Sequence, residues 1–173
     1  RQDAIDSADD VLENQLVSEE HLASLYMLKS SAQIGLRQFE QGLETLEHSL
    51  DLDDGNAAGW EIRARTYSET GDYQQALDSY LKMCELEWSE ETEAIIGLCY
   101  LHLDDIDQAE TTFKSLIEDG GTLPLTYYGY GLCLIMKNES DEACKWLKRF
   151  LENPGEQYPE IIPQAQQIVD KIC

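Results

Sequence analysis

Between residues 20 and 150, apolar positions recur three or four residues apart, and short polar turns break them about every dozen residues. That spacing predicts one helix after another. Ahead of this stretch, Ile5, Ala8, Val11 and Leu12 form a single helical stripe, which predicts a helix over 3–16. Behind it, Ile161, Ala165, Ile168, Val169 and Ile172 share one face of a helix expected over 159–173, with Pro159 in its first turn. Three of the four prolines follow residue 150, so the long helical stretch is nearly free of the strongest helix breaker.

The stripes repeat. Gly42, Ala76, Ala109 and Ala143 stand 34, 33 and 34 residues apart. Small residues also recur at Ser30, Ala64, Gly97 and Gly131, as antiparallel helices require where they approach closely. Large residues such as Trp60, Tyr67, Tyr80 and Phe113 are expected to fill the space between units. The second unit is the clearest, with Trp60, Ala64, Tyr67, Gly71-Asp72-Tyr73, Ala76 and Tyr80. The third supplies Gly97, Tyr100, Ile106, Ala109 and Phe113, and the fourth Tyr127, Tyr130, Gly131, Leu134, Ala143 and Leu147. The first is weaker, with Tyr26, Ser30, Phe39, Gly42 and Leu46.

This two-helix period resembles the tetratricopeptide-repeat (TPR) family. The resemblance implies an all-α fold, a right-handed superhelical solenoid of about four repeats with a half-repeat helix at each end. As a single domain over 1–173, the expected parts are a half-repeat at 3–16, units at 23–56, 57–89, 90–123 and 124–157, and a capping helix at 159–173. Some positions depart from the family pattern. Glu93, Lys29 and Arg63 stand where large apolar residues are usual, and Asp54, Trp88, Gly121 and Gly155 replace the frequent terminal proline.

Charge narrows the function classes. The chain carries 35 acidic against 12 basic residues, a net of −23. Nucleic acid and anionic membrane would be repelled, because both are bound through Lys and Arg. A basic partner would be steered in, although the same acidity also serves solubility alone. Membrane insertion is not expected, since no apolar run approaches the roughly 18 residues of a span. The chain opens on Arg1 and not on Met, which reads as a trimmed start or a piece of something longer.

Candidate chemistry is sparse. Cys84, Cys99, Cys133, Cys144 and Cys173 make an odd count with no CxxC spacing and no nearby His, so no metal or cofactor is expected. They read as reduced thiols of an intracellular, cytoplasmic protein. His21, His48 and His102 are scattered, and no triad can be assembled from them, so an enzyme is not expected. Asp51-Leu52-Asp53-Asp54-Gly55-Asn56 looks like a calcium loop, but its glycine is fifth and Ile62 stands where the bidentate Glu belongs.

The resemblance to TPR proteins implies binding of a protein or peptide on the inner surface lined by the first helix of each unit. The corresponding positions are Met27, Ser31 and Ile34, then Glu61 and Arg65, then Glu91, Ala94, Leu98 and Leu101, and finally Leu125, Tyr128, Leu132 and Ile135. The groove is expected to be mixed in the first two units and apolar in the last two, with Leu98, Leu132 and Tyr128 as anchors for a hydrophobic or amphipathic segment. The terminal helix covering those same residues is the competing expectation. Heat-shock chaperone tails are not expected, because the carboxylate-clamp positions fall on Met27, Ser31, Ile62, Glu91 and Ile95. The expected role is a scaffold or adaptor within a larger assembly. The alternative is a small acidic chaperone of the type III secretion class, and self-association stays open.

Overall fold

The structure is a computed structural model and describes residues 1–13 and 18–173. Among the described residues every regular element is an α-helix. They are α1 (Gln2–Glu13), α2 (Glu19–Gly35), α3 (Phe39–Leu52), α4 (Ala57–Thr70), α5 (Tyr73–Leu86), α6 (Glu90–His102), α7 (Ile106–Glu118), α8 (Pro124–Met136), α9 (Ser140–Glu152) and α10 (Ile161–Ile172). They gather into two compact units, Arg1–Glu87 and Trp88–Cys173. In unit 1, α1 packs on α2, and α2/α3 and α4/α5 form antiparallel pairs. In unit 2 the pairs are α6/α7 and α8/α9, with α10 packed on α9.

The turn inside each pair is built the same way four times. Arg37, Gly71, Asp104 and Asn138 all adopt positive φ, at 63°, 85°, 61° and 63°. Each is followed by a residue whose N–H returns to the last turn of the preceding helix. These bonds run from Gln38 to Gln33, Asp72 to Tyr67, Asp105 to Tyr100 and Glu139 to Leu134, at 2.8–3.0 Å. That is a Schellman closure, which satisfies carbonyls the helix end would otherwise orphan. Glycine is the residue of choice for the left-handed position, yet only Gly71 supplies it.

Small residues sit where helices meet. In unit 2 the ring of Phe113, fully buried, lies against both Gly97 on α6 and Gly129 on α8, and Leu147 on α9 lies against Gly131. In unit 1, Gly42 on α3 admits Ile34, and Gly59 on α4 admits Leu50. Ser30 and Ser49 are buried but satisfied, since their hydroxyls donate to the carbonyls of Gly42 and Ala23 at 2.7 Å. Tyr80 is buried as expected, whereas Trp60 and Tyr67 are only half-buried, with the Arg63 guanidinium lying over both rings.

The family departures acquire reasons. Lys29 on α2 pairs with Asp9 on α1. Arg63 on α4 donates to Glu47 on α3 at 2.7 Å and to Ser79 and Gln75 on α5 at 2.6 and 3.1 Å. Glu93 accepts from the indole N–H of Trp88 at 2.6 Å. Three polar residues at usual apolar positions thus tie neighbouring segments by charge-assisted hydrogen bonds.

Two expectations change, and a third runs past the described residues. The first helix is described over Gln2–Glu13, and the remainder of 3–16 lies outside the described residues. The last helix begins at Ile161, with Pro159 in the turn before it. Not all five thiols are reduced: Cys144 on α9 and Cys173, directly after α10, form a disulfide with Cα atoms 5.9 Å apart. The pairing depends on α10 folding back along α9, a long-range arrangement that cysteine spacing does not encode.

Candidate functional site

In unit 1 the first helices α2 and α4 bring Ser31, Ile34, Glu61 and Arg65 together. They line one open groove of about 310 Å³ with Gly35, Ile62, Thr66 and Glu69. Ile34 and Ile62 are half-buried and form the apolar part. The charged rim follows one face of α4, because Glu61, Arg65 and Glu69 are four residues apart. Glu61 pairs with Arg65 at 3.4 Å, and Glu69 pairs with Arg37 from the α2–α3 turn at 3.3 Å. All of these rim charges are well exposed, so the pairs are weak and readily exchanged for a partner's charges. Met27 does not line the groove; its sulfur meets the side-chain amide of Asn56 at 3.8 Å. Asn56 in turn caps α4 by accepting from the Gly59 N–H, which is how the calcium-like stretch is used.

The expected residues of unit 2 are placed differently. Ala94, Leu125 and Tyr128 are buried in its core. Leu98, Leu101, Leu132 and Ile135 are half-buried and packed against that core. So are Tyr158, Ile161, Ile162, Ile168 and Ile172 from the segment that follows α9. Polar contacts fix this segment across the first-helix side. Glu91 on α6 accepts hydrogen bonds from Gln157 and Tyr158, both at 2.6 Å. The hydroxyl of Tyr128 on α8 donates to Gln164 on α10 at 3.3 Å, and burial pushes that phenol above its ordinary pKa of 10.0. Of the expected apolar anchors, Tyr128 thus meets the chain's own terminal segment, while Leu98 and Leu132 pack against the core of unit 2.

Sequence reasoning named Ile62 as a carboxylate-clamp position and missed Thr66 and Glu69 as groove residues, although the four-residue spacing from Glu61 marked Glu69. It also missed a second concavity of about 530 Å³ in unit 1, where Phe39, Leu43 and Tyr67 lie among Glu40, Glu44 and Glu47. Among the described residues no group of three or more His, Cys, Asp or Glu is arranged to hold a metal, and no helix is long and apolar enough to cross a membrane. Burial raises the Cys99 and Cys133 thiols to about 11 and about 12, so neither is poised as a nucleophile.

Comparison with known proteins fits this architecture. Two family profiles, both described as tetratricopeptide repeat, match residues 57–87 and 95–119. The chain carries tetratricopeptide repeats. MamA superimposes with a TM-score of 0.72 at 20% identity, covering 86% of this chain and 85% of MamA. A TPR protein from Parabacteroides merdae gives 0.72 at 17% identity over 98% of this chain and 73% of that one. YrrB, described as a TPR protein with an unusual peptide-binding site, gives 0.65 at 19% identity, covering 95% and 89%. A Dictyostelium discoideum protein described as a DnaJ homolog subfamily C member 3 homolog is 34% identical over 84 residues. That match takes in 49% of this chain but only 17% of the relative's length. Repeats of this kind are generally non-catalytic, and they support a protein–protein interaction scaffold.

Proposed function

We propose that this TPR scaffold receives an amphipathic segment of a partner polypeptide in the groove between α2 and α4. The partner's apolar side chains would lie over Ile34 and Ile62. Its Lys or Arg side chains would displace Arg65 and Arg37 from Glu61 and Glu69. The observation that carries this reading is the convergence of Ser31, Ile34, Glu61 and Arg65 on one open groove. Net charge supports the basic component, because a chain at −23 attracts cationic segments and repels acidic ones. YrrB, described as having a peptide-binding site, offers an analogy at the level of the fold alone.

The setting of this function follows the disulfide. A bond between α9 and Cys173 persists where surroundings are oxidising, which favours an oxidising compartment over the cytoplasm expected from the sequence.

The test is selection from a displayed peptide library against the native chain and against a Glu61→Lys/Glu69→Lys variant. Both positions are exposed enough for the reversal to leave folding intact. Selected sequences should combine aliphatic with basic residues, and the variant should bind them at least about ten-fold more weakly, a change of roughly 1.4 kcal/mol. Selected peptides that bind both proteins equally would remove the groove from consideration.

A further inference from the structure

We infer that the Cys144–Cys173 disulfide is a redox latch that holds the segment 153–172 against the first-helix side of unit 2, and that its reduction lets this segment open. The segment has few holds of its own. On α10 only Ala165 and Val169 are buried, and the helix lacks a side-chain N-cap. Its other holds include half-buried isoleucines and Tyr158 against the core, and the hydrogen bonds to Glu91 and Tyr128. A short helix held this thinly opens easily unless something anchors its far end. Cys173, immediately after α10, is where the anchor lies.

The position of the bond suits exchange. Cys173 is exposed and Cys144 is half-buried, so an attacking thiolate has a sulfur within reach, and exposed disulfides are the labile ones. Cys99 and Cys133 are buried and carry raised thiol pKa values, so they do not compete as internal attackers. The step requires an external dithiol. One of its thiolates attacks a sulfur of the pair and forms a mixed disulfide, which its second thiol then resolves. The Cys144–Cys173 bond breaks, two electrons and two protons pass to the two cysteines, and the dithiol leaves as a cyclic disulfide. What opens is the side of unit 2 where Glu91 and Tyr128 lie.

Hydrogen exchange on the full chain, before and after dithiothreitol, tests the latch without any partner, so it stands or falls separately from the unit 1 groove. Amides in 153–172 should exchange at least about ten-fold faster after reduction, while those of α2–α5 stay unchanged. Cys173→Ser should reproduce the reduced pattern without reductant. A Tyr158→Phe variant keeps the disulfide but loses one bond to Glu91. It should stay protected when oxidised and exchange faster than wild type once reduced. Unchanged exchange in α10 on reduction would overturn the proposal. So would acceleration spread over α2–α5, or five titratable thiols in protein equilibrated with a glutathione buffer at the poise of an oxidising compartment.

Discussion

The ring of Phe113 on α7 occupies the space that a side chain at Gly129 on α8 would need: a Cβ built there would stand 2.2 Å from Cζ. The same ring atom is 2.6 Å from a Cβ built at Gly97 on α6. One buried aromatic therefore sets how closely three helices of unit 2 can approach, and the two glycines are the other half of that fit. Gly129→Ala gains about 1 kcal/mol of helix propensity, yet overpacking should turn this into a net loss of roughly 1–3 kcal/mol. Urea unfolding measures the loss. Phe113→Leu in the Gly129→Ala background should recover part of it, and a double-mutant cycle with zero coupling would contradict the contact.

The repeated turn offers a cleaner backbone experiment. Gly71 has φ of 85° and nothing within 4 Å of a built Cβ, so Gly71→Ala meets no steric neighbour. Its cost, about 1 kcal/mol, should be backbone strain alone. Asp104 occupies the equivalent place with a side chain, so Asp104→Gly should stabilise by roughly 0.5–1 kcal/mol, raising Tm by about 2–4 °C. A loss of stability in Asp104→Gly would show that the four turns are not equivalent.

Arg63 is 14% exposed and joins α3, α4 and α5 of unit 1 through three different acceptors. Arg63→Ala should cost roughly 1–3 kcal/mol, discounted from a fully buried pair because Glu47 is 46% exposed. Arg63→Lys should not restore stability, since an ammonium lacks the fork that reaches Glu47, Ser79 and Gln75 together. Full rescue by lysine would reduce the network to a simple charge effect.

The Glu110 carboxyl is held below its ordinary 4.5, first by its hydrogen bond with Lys114 and then by that with Lys137. A depressed folded-state pKa contributes stability that is full above the unfolded value and is lost as pH falls through the folded one. Glu110→Gln should therefore destabilise at neutral pH and converge on wild type only as pH falls below the ordinary 4.5 and through the depressed folded value. The difference between the two proteins isolates this group from the other acidic residues, whose mutual repulsion eases in the same range. A gap that persists unchanged at low pH would rule out the ionic origin.

Cys99 and Cys133 hold the same position in the third and fourth units, both deep in unit 2. With thiols raised to about 11 and about 12, they should resist iodoacetamide at pH 8 for as long as the fold persists, and react once it is unfolded. Mass spectrometry of native and urea-treated protein gives the comparison. Rapid native modification would place them nearer the surface.

Sequence alone was sufficient for whatever depends on local periodicity. The 34-residue spacing of Gly42, Ala76, Ala109 and Ala143 carried the helix pairs, because only small residues fit where antiparallel helices cross, and that demand returns once per unit. The resemblance to TPR proteins, in turn, implied Ser31, Ile34, Glu61 and Arg65 as groove residues on the first helices, and these four line one groove. Three other matters were decided by tertiary structure. Lys29 and Arg63 looked like departures, but Asp9 and Glu47 lie opposite them, since the partners of a charge are set by neighbouring helices. Tyr128 was expected to line an open groove, but a family position does not say whether another segment of the chain meets it, as Gln164 does. The Cys144–Cys173 bond and the Glu91–Tyr158 contact arise from residues 29 and 67 apart, brought together only when the segment after α9 turns back. Local pattern records which side of a helix is apolar, and only the folded chain determines what lies against it.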